Sequence, residues 1–228
     1  MTDLSAFPVT RRWPAQHPER IQLYSLGTPN GQKVSIALEE LGLPYEFHRV
    51  DISADDQFTP EFLSINPNNK IPAILDPAGP GGEPMPLWET GAILIYLAEK
   101  TGQLLPQDPV QRYQAIQWLM WQMGGVGPMF GQVGFFTRYG GKDFEDKRPR
   151  DRYVNEARRL LGVLDRRLEG RDWVMGDYSM ADIAIFPWVR CMRDVYQAGE
   201  LVGIDEFGNV LRVLEAFLAR PAVQRGLA

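Results

Sequence analysis

Thr28 and Asn30 stand two residues apart in Gly27-Thr28-Pro29-Asn30-Gly31, where a hydroxyl and an amide could act together on one bound anion. The stretch separates two segments of different period. Ile21-Gln22-Leu23-Tyr24-Ser25 alternates as a strand does. Val34, Ala37, Leu38 and Leu41 then recur at helical spacing, and Gly42 can close that helix in a left-handed conformation. A strand running into a helix aims backbone N–H groups and the positive end of the dipole at one point, where an anion, a thiolate included, is stabilised. Asn30 suits the cap of this helix. A second candidate is Glu89-Thr90, an acid and a hydroxyl opening the apolar run to Lys100. Each pair also fits a plainer role, the first as an ordinary strand-to-helix loop and the second as a helix start favoured by the dipole.

Other chemistries are narrowed by composition. The chain has 228 residues, 44% hydrophobic and 23% charged, with a net charge of −5, which suits a globular protein of one large or two small domains. The charge is spread without long runs, which argues against nucleic acid as a partner. No apolar run reaches the roughly 18 to 20 residues of a membrane span. Residues 1–19 lack the apolar stretch of a signal peptide and read as an extended N-terminal arm. The single cysteine, Cys191, excludes an internal disulfide, a CxxC redox pair and a cysteine-built zinc site. It implies a reducing, cytoplasmic setting, and its apolar neighbours suggest a buried, inert thiol. His17 and His48 have no ligand-like company, so neither a metal nor a histidine base is expected.

The elements that must position these residues follow in order. After the first strand and a helix over about 31–41, Pro44 to Val50 alternates as a second strand, with Tyr45 and Phe47 on or near its buried side. Strand, helix, strand within about 30 residues is a crossover unit with parallel strands. Thr59 and Pro60 read as the cap and first position of a short helix. Ile71-Pro72-Ala73-Ile74-Leu75 is an apolar strand with proline at its entrance, placed on the rim, where a cis bond is expected. A Gly- and Pro-rich turn leads to a strand over 85–88, a hairpin partner, and then to the helix from Glu89 to Lys100. This gives β-α-β-α-β-β-α over 20–102. A linker over 103–109 precedes an all-helical second half, 110–228. In that half Gly124, Gly125, Gly127 and Pro128 loosen a helix, 152–168 is amphipathic, and Ser179-Met180-Ala181-Asp182 is a capping box.

This order of pieces resembles the glutathione transferases: a thioredoxin-like first half, Ile-Pro before the third strand, an acid-plus-hydroxyl pair opening the third helix, and helices carrying the S-x-x-D box. The resemblance covers about 20–225. Within that superfamily Thr28-Pro29-Asn30-Gly31, Asn68-Asn69-Lys70-Ile71-Pro72-Ala73-Ile74 and Gly125-Val126-Gly127-Pro128-Met129 are similar to the bacterial Nu class, which are glutathione-dependent disulfide-bond oxidoreductases. The resemblance implies an enzyme that uses glutathione as cosubstrate, with no metal, on a small disulfide, and with weak peroxide reduction besides. Conjugation of hydrophobic electrophiles and a non-catalytic binding module are the alternatives.

Carried over residue by residue, the resemblance gives Glu89 the ammonium of the γ-glutamyl group and Thr90, with the amides of its helix, the α-carboxylate. Ile71, before Pro72, pairs its backbone with the cysteinyl part, Gln57 touches the glycyl end, and Lys70 and Arg152 join the binding set. Thr28 and Asn30 serve the sulfur, since a hydroxyl donor favours a thiolate. Tyr24 is a competing donor, although its place within a strand favours packing. A homodimer is also implied. Phe135-Phe136-Thr137-Arg138-Tyr139 and the charged loop to Arg150 depart from the bacterial pattern, so substrate choice is the least specified feature.

Overall fold

Apolar residues on both faces of Ile21–Ser25 (β1) make it an inner strand, and all five residues are buried. A computed structural model describes residues 4–228, so the first three residues of the expected arm lie outside the description. The chain divides into two compact units. One runs to Thr101 and takes back Ala222–Ala228, and the other is Gly102–Pro221.

In the first unit β1 is followed by α2 (Pro29–Leu41), β2 (Tyr45–Arg49), the single turn α3 (Pro60–Leu63), β3 (Ala73–Asp76), β4 (Met85–Trp88) and α4 (Thr90–Thr101); α1 (Val9–Arg12) precedes them. The sheet order is β2-β1-β3-β4, with β1 and β2 parallel and β3 antiparallel to both β1 and β4. The crossover and hairpin expected from the sequence are therefore both present, and the Ile71–Pro72 bond is cis. Helices α2 and α4 pack together.

The opposite layer corrects the expectation of an extended arm. Leu4 and Val9 are buried, and they join Tyr24, Val50, Phe62, Ile65, Ala73 and Leu75 in one cluster, with Phe7 and Trp13 packed against it. A one-turn α3 has too little apolar surface to cover this side of the sheet, and the arm supplies the remainder. The same cover corrects the reading of β2. Its buried side chain is His48, stacked on Tyr24 at 4.8 Å between ring centres, while Phe47 is 47% exposed. The Glu46 carboxylate accepts the backbone N–H of Gln16 (2.9 Å) and of His17 (2.7 Å), which ties the arm to this edge strand.

The end of the chain closes the unit from α2's side. Helix α11 (Pro221–Leu227) brings Gly226 so close to α2 that an added Cβ would stand 2.6 Å from the Ile36 Cα, and Arg225 pairs with Glu39 at 2.6 Å.

The second unit is helical, with α5 (Pro109–Trp121), α6 (Gly127–Arg138), α7 (Arg148–Leu168), α8 (Met180–Arg190), α9 (Gly199–Val202) and α10 (Gly208–Leu218). The glycines after α5 do loosen the helix, since Gln122–Val126 winds as a π-segment before α6. The α7 stripe buries Val154, Ala157, Leu160, Leu161, Leu164 and Leu168. The capping box at Ser179 and Asp182 is formed in both directions. No helix among the described residues is long and apolar enough to cross a membrane.

Candidate functional site

Register in the sheet gathers the candidate residues. Tyr24 pairs with Ala73 and Ala73 with Trp88, so the end of β1, the entrance of β3 and the end of β4 lie side by side at one edge. Ser25 pairs with Arg49, and the Val50 N–H donates to the Ser25 carbonyl at 2.9 Å, so the loop after β2 leaves from the same edge. Thr28-Asn30, Lys70-Ile71-Pro72, Glu89-Thr90 and the 51–58 loop with Gln57 thus start from neighbouring strand ends, a consequence of two parallel strands and one hairpin.

At Thr28 the structure corrects the expected cap. Thr28, not Asn30, is the N-cap, and its Oγ accepts the Gly31 N–H at 3.3 Å. Pro29 holds the first helical position, where its missing N–H costs nothing, and this puts Asn30 inside the first turn. Gly31 is required, because a Cβ there would stand 2.0 Å from the Leu26 carbonyl oxygen. The Thr28 hydroxyl accepts with a lone pair and keeps its proton to donate. Thr28→Ala should lower turnover about tenfold or more and change glutathione affinity less than threefold, at a cost of about 1 kcal/mol in stability for the lost cap. Thr28→Ser should preserve all three quantities. Steady-state kinetics with a thermal melt checks this, and unchanged turnover in Thr28→Ala removes the catalytic assignment.

The Ile71 entrance is set by Asn66, which is buried. Its Nδ2 donates to the Lys70 carbonyl at 2.5 Å and its Oδ1 accepts the Asn68 N–H at 2.9 Å, while Asn69 takes a left-handed φ of 48°. The ladder begins at Ala73, leaving Ile71 on the rim ahead of it. Lys70 is exposed.

Glu89 has φ 70°, a conformation costly for a side chain with a Cβ and one that accumulates at ligand sites. Its carbonyl accepts the Ile93 N–H at 2.9 Å, which makes it the residue that starts α4. The exposed carboxylate and the buried Thr90 therefore sit at a helix N-terminus. Gln57 lies in a 3₁₀ turn, Asp56–Phe58, with a long 3.5 Å bond from its Nε2 to the Ile52 carbonyl, and its Oε1 is buried without a hydrogen-bond partner. Arg152 belongs to the second unit, exposed on α7, where it lines a groove of about 660 Å³ with Met129, Tyr153, Asn155, Glu156 and Arg159.

Two sulfur-related expectations are met by burial. Cys191 is buried in the second unit, and its thiol is pushed up to about 11, chiefly by desolvation. Tyr24 is fully buried beneath the arm, its hydroxyl raised by the same effect, so it packs as its strand position suggested. A residue the sequence reading missed is Lys33, fully buried on α2. Burial drives its ammonium pKa well down, while the charge of Glu89 opposes the shift. The signal was available, because Lys33 lies four residues before Ala37 on the buried stripe.

Residues 19–99 match the glutathione S-transferase N-terminal domain and residues 128–221 the glutathione S-transferase C-terminal domain. The disulfide-bond oxidoreductase YfcG of Escherichia coli is 50% identical over 75% of this chain and 79% of its own length. The disulfide-bond oxidoreductase YghU of the same organism is 42% identical over 92% of this chain and 74% of its own. The chain belongs to the glutathione S-transferase family. Among solved structures, a Pseudomonas putida glutathione transferase with one glutathione disulfide bound per subunit superimposes with TM-score 0.98 at 70% identity, covering 99% of this chain and 98% of that one. A Burkholderia graminis glutathione transferase with two glutathione molecules per subunit gives the same score and identity over 100% and 95%.

Proposed function

We propose that this chain is a glutathione-dependent disulfide oxidoreductase in which both reacting thiols come from outside the protein. One observation carries the reading: the only cysteine is buried with its pKa raised, while the end of the sheet offers a helix N-terminus flanked by Thr28 and Asn30. Such a site can hold a thiolate and has no protein thiol of its own to spend. Relatives that hold glutathione disulfide or two glutathiones per subunit support the choice of disulfide exchange over conjugation.

In this reading Glu89 faces the γ-glutamyl ammonium, and Thr90 with the first amides of α4 takes its carboxylate. Ile71, before Pro72, pairs with the cysteinyl backbone, Gln57 serves the glycyl end, and Lys70 joins the binding set. Arg152 completes the set by resemblance alone. The thiol loses its proton more readily beside Thr28, Asn30 and the α2 N-terminus. The thiolate attacks one sulfur of the disulfide; a new S–S bond forms, the old one breaks, and the departing thiolate, held by the same donors, takes up a proton. A second glutathione resolves the mixed disulfide, so two glutathiones and one disulfide give glutathione disulfide and two thiols.

Calorimetric titration with reduced and oxidised glutathione tests the proposal. Affinity for the disulfide, or two reduced molecules per subunit, supports exchange. One reduced molecule with no affinity for the disulfide overturns it in favour of conjugation. We infer further that two copies pair through α5, where Val110 (66%), Tyr113 (73%) and Met120 (49%) are exposed on one face. Sedimentation as a monomer at micromolar concentration would contradict this.

A further inference from the structure

We propose that the N-terminal arm is part of the glutathione site's machinery, with Arg12 as the positioning residue for Gln57. This rests on the reading of Gln57 as a contact to the glycyl end.

The 51–58 loop holds two single 3₁₀ turns, Ile52–Ala54 and Asp56–Phe58, and the corner between them is built around one carboxylate. Asp56 is 8% exposed and accepts the Asp51 N–H at 2.9 Å, which closes the loop on itself. Its backbone is held as well, by the Thr59 hydroxyl on its carbonyl at 2.7 Å and by its own N–H on the Asp51 carbonyl at 3.2 Å. The counter-charge for this buried carboxylate comes from the arm, because the Arg12 guanidinium pairs with the other Asp56 oxygen. Arg12 is itself fixed. It closes α1 and lies 5.2 Å from the ring of Trp13, whose Nε1 donates to the Arg49 carbonyl at 2.9 Å, just ahead of the loop. The arm thus grips the loop at its start through Trp13 and at its corner through Arg12.

Gln57 is the next residue after that corner. Its own restraint is weak, a single 3.5 Å bond, and its Oε1 is buried without a hydrogen-bond partner. Where this amide points is therefore set by the corner at Asp56, whose carboxylate is paired from the arm. A buried carboxylate deprived of its ion-pair partner draws solvent or shifts to find another donor. Loss of Arg12 should release the corner and misplace Gln57 without touching Thr28, Ile71 or Glu89.

The experiment compares two ligands in the full-length protein: glutathione, and γ-glutamylcysteine, which lacks the glycyl residue. Arg12→Ala should weaken glutathione binding by roughly tenfold and leave γ-glutamylcysteine within twofold. Arg12→Lys, which keeps the charge, should recover most of the loss. Gln57→Ala should show the same ligand selectivity, and Arg12→Ala/Gln57→Ala should be no weaker than Gln57→Ala alone. If Arg12→Ala weakens both ligands equally, or neither, the positioning role is wrong. If Gln57→Ala is itself without effect on the ratio of the two affinities, the assignment of Gln57 to the glycyl end fails and takes the positioning role with it. A thermal melt of each variant accompanies the titrations, and a selective loss of glutathione in a fully folded Arg12→Ala protein is the supporting result.

Discussion

Glu89→Ala is expected to weaken reduced glutathione by about a hundredfold in a calorimetric titration, because in the proposed site the Glu89 carboxylate is the partner of the γ-glutamyl ammonium, which is then left unmatched. Glu89→Gln keeps the shape and loses the charge, so it should fall nearly as far. The backbone geometry makes this separable from folding. The Glu89 carbonyl, not its side chain, starts α4 through the Ile93 N–H, and the side chain is exposed. With φ at 70°, the position favours glycine. Glu89→Gly should therefore melt above Glu89→Ala while binding glutathione just as poorly; both variants lose the charge that Lys33 experiences, so that effect cancels. An affinity for Glu89→Gln within threefold of the parent protein would remove Glu89 from the site.

That separation shows which features the residue pattern carries and which it hides. Alternation marks β1, while an apolar run entered by proline and a Gly- and Pro-rich turn mark the β3–β4 hairpin and the rim position of Pro72, because each follows from backbone rules acting over a few residues. The common edge of the candidate residues comes from the strand order, which the residue pattern does not give: parallel β1 and β2 and a hairpin returning beside β1 leave three strand ends together. The cap at Asn30 was misplaced by two residues. Pro29 can occupy the first turn, and Thr28 with an extended φ of −87° and ψ of 162° is then the residue able to turn its oxygen back on Gly31. The face of β2 was inverted, since nothing within Pro44 to Val50 reveals that Leu4, Val9 and Trp13 cover the His48 side. Burial supplied from a distant segment has no local signature. Arg12 carries no signal of its own, because a charged residue reads as solvated unless its partner is known, whereas Lys33 stands on the stripe that Ala37 marks. Gln57 was drawn from resemblance alone, and the structure adds the buried carboxylate beside it.

Asp182→Ala is expected to cost about 3 kcal/mol, a fall of about 6–12 °C in melting temperature, because the buried carboxylate serves two backbone N–H groups with no other partner at hand. Its Oδ1 accepts from Val174 N–H at 2.9 Å, and its Oδ2 accepts from Ser179 N–H at 2.9 Å with the Ser179 hydroxyl at 3.1 Å. Burial pushes the group up to about 7, against the opposing pull of these donors. The sign follows directly. In the unfolded chain the carboxyl ionises near 4, in the folded chain near 7, so the folded state holds the extra proton between those values. The stability this group contributes is complete below pH 4 and declines as pH rises through 7. The protonated form fits the site, since the new O–H can donate to the Ser179 oxygen while the carbonyl oxygen still accepts. Asp182→Asn cannot titrate, so the stability of the parent protein minus that of Asp182→Asn should shrink between pH 5 and pH 8 in denaturant titrations. A difference that is flat with pH would place the ionisation at its ordinary value, and a melting temperature for Asp182→Ala within 2 °C of the parent would show that the box does not hold the start of α8.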